Sequence, residues 1–109
     1  AETREVLAGA KFDLLDSEKN VLYTNLTSDE NGIILINNLM PGKYYLKETK
    51  APNNYLVYED YIKLEVGFNE EISIIVNNNK GEKPTIEVTK NKVTVKQKII
   101  ENKLPKTGM

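Results

Sequence analysis

The sequence predicts an all-β chain, an antiparallel sandwich or barrel, on three observations. Apolar residues alternate with polar ones at the period of a half-buried strand. Such runs recur at spacings of about 8–12 residues, with Gly, Pro, Asn or Asp between them. No stretch of residues 1–79 keeps a helical period of useful length.

The elements follow in order. In GAKFDLL, Ala10, Phe12 and Leu14 share one face, while Lys11, Asp13 and Leu15 share the other. DSEKN is turn chemistry, and VLYTNLT is a short strand. SDENG turns again, with Gly32 free to take a positive φ. IILIN then places Ile34 and Ile36 on one face, and MPG at 40–42 turns the chain. KYYLKET is a strand, with Tyr44, Leu46 and Glu48 on one side, broken by APNN. YIKLEV alternates through Ile62, Leu64 and Val66. After GFNE, EISIIV places Ile72, Ile74 and Val76 inward and runs into Asn77–Asn79. TIEVT (85–89) and VTVKQKI (93–99) alternate weakly and are able to pair across KNK or to stay extended.

Composition narrows the chemistry. The 109 residues fit one compact domain with a short appendage. The chain has neither Cys nor His, so disulfides, thiol nucleophiles, the usual zinc sites and the commonest general base are all excluded. No apolar run reaches the roughly 18 residues of a membrane span. AETREVLAGAKF is too polar for a secretion signal and reads as the start of a piece of a longer protein. Residues 1–79 carry 7 basic and 13 acidic groups; residues 80–109 carry 8 basic and 3 acidic. A module boundary is therefore expected at NNNKGEKP, separating a body (1–80) from a basic linker (81–109). That linker is either a solvated spacer or a binder of anionic polymers. The acidic body gives no support for nucleic-acid binding.

Several polar groups have bland readings. Asp29, Asn31 and Gly32 resemble the opening of a calcium loop, but no Glu follows at the required position, so a β-turn is expected. Asp16, Glu18 and Asn20 alternate within a turn. Nothing converges on Glu59–Asp60 or Glu70–Glu71. No metal site and no cofactor is expected. The cluster Tyr55, Tyr58 and Tyr61 suits inter-sheet packing better than ligand display. Glu48 stands apart: alternation turns it inward with Leu46, although an acid near a strand end is more often solvated or paired, here with Lys47 or Lys50.

Two motifs carry a resemblance. LAGAKFDLLD, TSDENGIILINNLMPGKYYLKETKAPNNY and VNNNK resemble, in order and spacing, the Cna-B/SpaA-type domains, the prealbumin-like sandwich modules of Gram-positive surface proteins and pilins. The most specific part is Tyr44-x-Leu46-x-Glu48-Thr49-x-Ala51-Pro52-x-x-Tyr55, which is similar to the pilin E-box, with Asn54 where Gly is usual. Independently, Leu104-Pro105-Lys106-Thr107-Gly108 matches the LPxTG sorting signal. Chance occurrence in a chain this long is on the order of one in a thousand.

The resemblance implies a β-sandwich stalk module of a secreted protein anchored covalently to the cell wall, and not an enzyme. Its partners would be a sortase, the peptidoglycan precursor and other domains of the parent protein. The sortase would attack the carbonyl of Thr107 and release Gly108. An adhesin module for a host protein or glycan is the alternative. The resemblance also implies an intramolecular isopeptide bond, in which a Lys on the first strand attacks an Asn on the last strand and ammonia leaves. Glu48 would be the proton shuttle, held neutral by burial. Asn78 would be the acceptor, from the closing N-x-K pattern and the alternation, with Asn77 as fallback. The family places its Lys in a V-x-K-x-D strand just before a stretch such as AETREVLAGA, so the Lys partner is expected to lie outside this fragment. Lys11 faces the wrong way, and IEVTK with Lys90 is a stand-in that would fold back or pair with a neighbouring chain. No YPK segment of the pilin type is present.

Overall fold

The computed structural model describes residues 5–78, 85–89 and 92–100. Among them are nine strands and no helix: β1 (Glu5–Val6), β2 (Lys11–Asp16), β3 (Val21–Thr27), β4 (Ile33–Ile36), β5 (Gly42–Lys50), β6 (Ile62–Val66), β7 (Ile72–Asn78), β8 (Thr85–Thr89) and β9 (Lys92–Gln97). They form two sheets facing each other as a β-sandwich. One sheet has the order β3-β2-β5-β6, and every pairing in it is antiparallel. In the other, β7 is central, with β1 and β4 sharing one edge and β9, then β8, on the other.

Alternation explains the core. Ala10, Phe12 and Leu14 from β2 and the segment before it meet Leu46, Ile62 and Leu64 within one sheet. Ile34, Ile36, Ile72, Ile74 and Val76 face them from the other, joined by Val93 and Val95 of β9. Each buried aliphatic or aromatic side chain contributes roughly 1.5–3 kcal/mol by leaving water, so this layer is the main source of stability. Tyr44 and Tyr58 pack against its margin.

Loops are set by backbone chemistry. Asp29 Oδ1 accepts the N–H groups of Asn31 (2.8 Å) and Ile33 (3.0 Å), so the calcium-like stretch is a turn whose carboxylate already serves the backbone. Asp16 does the same for Glu18 and Asn20. Gly32 has φ +75°, and a Cβ there would stand 2.7 Å from Val76 O and 3.0 Å from Leu7 N. Its carbonyl accepts Val76 N–H at 2.8 Å, so this glycine is the point where the β3–β4 turn presses onto β7. Ser28, buried beside it, accepts Ala10 N–H and donates to Leu7 O, tying the start of the chain to the same turn.

Two features were not anticipated from the sequence. β1 is a two-residue strand whose Glu5 and Val6 pair with Asn78 and Asn77. β8 and β9 form a hairpin, one of the two readings the sequence left open, and it joins the sheet of β7. β9 runs parallel to β7, with Ile74 opposite Val93, Val76 opposite Val95 and Asn78 opposite Gln97. The strand at β7 is thus 92–97, not 86–90, which forms the outer edge; Lys90 itself lies outside the described residues.

Candidate functional site

The site is built where β5, β7 and β9 end on one side of the sandwich. On β5, Glu48 pairs with Phe12 of β2 and therefore shares the inward face with it. A register shift between Lys11 and Phe12 carries the pairing past Thr49, whose Oγ1 donates to Lys11 O at 3.3 Å. Glu48 ends up 1% exposed.

A stitched segment closes over it. The chain breaks at Ala51–Pro52 and turns through Asn54, which takes φ +73°, the left-handed conformation that Gly would adopt most readily. Residues 54–56 then run against the end of β9: Leu56 N–H donates to Lys98 O at 2.7 Å, Ile100 N–H donates to Asn54 O at 2.8 Å, and Tyr55 bridges Ile99. Gln97, fully buried, fixes this contact from inside, its Nε2 donating to Leu56 O at 2.7 Å. Two residues on, Tyr58 N–H donates to Glu48 Oε1 at 2.8 Å.

The electrostatics follow from that enclosure. Burial pushes the Glu48 carboxyl up to about 7; the Tyr58 N–H, the neighbouring Gln97 amide and the charge of Lys47 pull the other way and do not offset it. Near neutral pH the group is poised between acid and carboxylate, the condition for moving a proton. Glu48 Oε2, Gln97 Oε1 and both polar atoms of the Asn77 side chain are buried without a hydrogen-bond partner among the described residues. Such atoms are costly when unsatisfied, at roughly 1–3 kcal/mol each, and all four belong to residues at or near the ends of β5, β7 and β9.

Asn78 is half-buried and lies opposite Gln97, so register puts both on the core-side face. Asn77 is 0% exposed although alternation from Val76 turns it the other way. At that level it pairs with Val6 of β1 on one edge and Lys96 of β9 on the other. Lys11 is half-buried on the opposite face of β2 from Phe12 and reaches Thr27 Oγ1 at 3.3 Å. Gln97 is the member of the site that the sequence reading missed. Its signal was the pattern Val93-x-Val95-x-Gln97, an apolar alternation ending on a polar residue, as β7 does at Asn78.

The other candidates are dispersed. Tyr45 and Tyr61 meet edge-on at 5.7 Å, with the Lys19 ammonium 4.5 Å from the Tyr61 centroid and 5.1 Å from that of Tyr45. This cluster is on the outside of the sheet, and Lys19 already takes the cation position over both rings. No group of His, Cys, Asp or Glu fit to hold a metal occurs among the described residues. Leu104, Pro105, Lys106, Thr107 and Gly108 lie outside the described residues.

Comparison with known proteins places this geometry. The family model described as SpaA, a prealbumin-like fold domain, matches residues 1–80. A crystal structure of BcpA, the major pilin subunit of Bacillus cereus, superposes with a TM-score of 0.64 at 31% identity, over 84% of this chain and 24% of the pilin. A variant of the same pilin gives a TM-score of 0.59 at 30% identity, over 82% and 24%. The chain thus spans about a quarter of that pilin's length. No curated protein sequence matches it.

Proposed function

The chain belongs to the SpaA family of prealbumin-like fold domains, and from that premise we propose that it is a load-bearing stalk module of a secreted Gram-positive surface protein or pilin. In this reading it catalyses no turnover reaction. It holds more distal domains away from the cell wall, and a sortase fixes its C-terminus to the peptidoglycan precursor by cutting between Thr107 and Gly108. The parent protein carries a Lys–Asn isopeptide bond across its terminal strands, with Asn78 as acceptor and Glu48 as proton shuttle. Such a tie removes freedom from the unfolded chain much as a disulfide does, in a sequence without cysteine.

The observation that carries the reading is the enclosed Glu48, an acid raised to about 7 by burial at the end of a strand, on a domain of this family. A sandwich used only as a spacer has no physical reason to bury one carboxyl with an unpartnered oxygen. The anchoring half is tested with a purified sortase and an amine nucleophile. The product expected is a chain ending at Thr107 joined to the amine, read by intact mass. A chain left whole while a control LPxTG peptide is consumed refutes the anchored module.

A further inference from the structure

One dipeptide in the β3–β4 turn carries chemistry that the fold restrains. Of the asparagines in the sequence, Asn31 alone is followed by glycine. Asparagine is among the thermally labile side chains. The backbone nitrogen of the next residue attacks its side-chain carbonyl carbon, and a next residue without a Cβ leaves that approach unobstructed. Asn31 is exposed, so water reaches its carboxamide.

The nucleophile is the restrained partner. Gly32 is buried, its N–H donates to Asp29 O at 2.8 Å, and its carbonyl accepts Val76 N–H at 2.8 Å. The position a Cβ would take stands 2.7 Å from Val76 O, so the backbone there has little room to swing. Asp29 clamps the turn from within: Oδ1 accepts Asn31 N–H and Ile33 N–H, and its own N–H donates to Ile33 O at 3.1 Å. Ser28 pins the turn to Ala10 and Leu7. Ring closure requires the Gly32 nitrogen to leave Asp29 O and turn toward Asn31 Cγ, and these contacts oppose it.

We propose that Asn31–Gly32 is a self-modification site, silent while the β3–β4 turn is seated on β7 and active once that turn lifts away. The co-reactant is water. Gly32 N bonds to Asn31 Cγ and its proton goes to the departing amide nitrogen. The bond from Cγ to that nitrogen breaks, ammonia leaves, and a five-membered imide remains. Water opens the imide at either carbonyl. One product is aspartate; the other is isoaspartate, whose main chain runs through the side-chain methylene and is one atom longer. Both place a new negative charge beside Asp29 and Glu30. The longer turn puts Gly32 out of step with β7, so Gly32 O and Val76 N–H no longer meet. An isoaspartate turn therefore does not seat again, and the opening is recorded. In a load-bearing module this converts a transient opening into a lasting one, but the chemistry does not depend on that reading.

The test follows residue 31 by peptide mapping while the whole chain is incubated at neutral pH, folded and in unfolding urea. A peptide of residues 28–34 in both buffers corrects for the solvent. The mass change sought is an amide NH2 replaced by OH. After correction the unfolded chain should convert at least about tenfold faster, the factor by which an opening cost of about 1.4 kcal/mol lowers the open population. Equal rates overturn the silencing. Ser28→Ala cuts two ties of the turn and leaves Asp29, Asn31 and Gly32 in place. A folded Ser28→Ala chain should convert several-fold faster than the folded parent, and an unchanged rate overturns the turn as the gate. If that variant does not fold, the parent comparison alone decides. Isoaspartate chains separated from the parent and returned to buffer should unfold at a lower urea midpoint; a midpoint equal to the parent's overturns the lock.

Discussion

Glu48 makes the stability of this domain depend on pH in a direction opposite to that of a carboxylate held charged by an ion pair or hydrogen bonds. Its ordinary value is 4.5, and the fold raises it to about 7. The folded chain therefore holds a proton that the unfolded chain has already released across that interval. Stability attributable to the group is fully present below pH 4.5, falls as pH rises, and levels off above about pH 7. Each tenfold change in proton affinity between the unfolded and folded chain is worth about 1.4 kcal/mol, so the full decline is about 3 kcal/mol, a large share of a small domain's stability. The assay is urea denaturation at a series of pH values from 4 to 8, on the parent and on Glu48→Gln. The amide keeps an oxygen for Tyr58 N–H and cannot ionise, so subtracting the two curves isolates this group. The absence of His from the chain keeps the window clear of its side-chain titration. The parent should lose stability relative to Glu48→Gln through the window and run parallel to it outside. Curves that stay parallel throughout would show that Glu48 is solvated, and a solvated carboxyl has no raised proton affinity with which to act as a shuttle.

Gly32→Ala forces a Cβ to 2.7 Å from Val76 O at φ +75° and should cost at least about 2 kcal/mol, seen as a lower urea midpoint with an unchanged slope. Phe12→Ala empties the centre of the core against Glu48's own strand and should cost about 3–5 kcal/mol, enough to abolish a cooperative thermal transition. Asp16 is held below its ordinary 3.8 by hydrogen bonds from Asn20 and Glu18, so its contribution is present above that pH and fades below it. Asp16→Ala should therefore flatten the acid limb of the stability curve without changing the decline between pH 4.5 and 7.

The inward residues of β2, β4, β5, β6 and β7 were legible because each is half of a local pattern. Phe12, Leu46, Leu64 and Ile74 follow from period-two alternation, and all are buried. Glu48 was legible for the same reason, since alternation does not distinguish an acid from a leucine. Burial of Asn77 was not: alternation from Val76 turns it away from the core, yet it is 0% exposed, on a strand paired along both edges. Strand order itself, with β1 and β9 on either side of β7, is a property of distant pairings and leaves no local trace.

β9 shows the same limit with more consequence. Its sequence, KVTVKQ, is thinly apolar and Lys-rich, so a local reading makes it an edge strand or an extended linker. What turns it into core is its position beside β7, where two valines meet an isoleucine and a valine already in place. The energy comes from the partner's face, and the strand needs only two apolar residues at the right spacing to claim it. A slot with so short a requirement discriminates weakly among strands by hydrophobicity alone. The selective element is then the third inward position, where Gln97 meets Asn78 in register and neighbours Glu48. There Gln97 Oε1 and Glu48 Oε2 are both buried without a hydrogen-bond partner among the described residues.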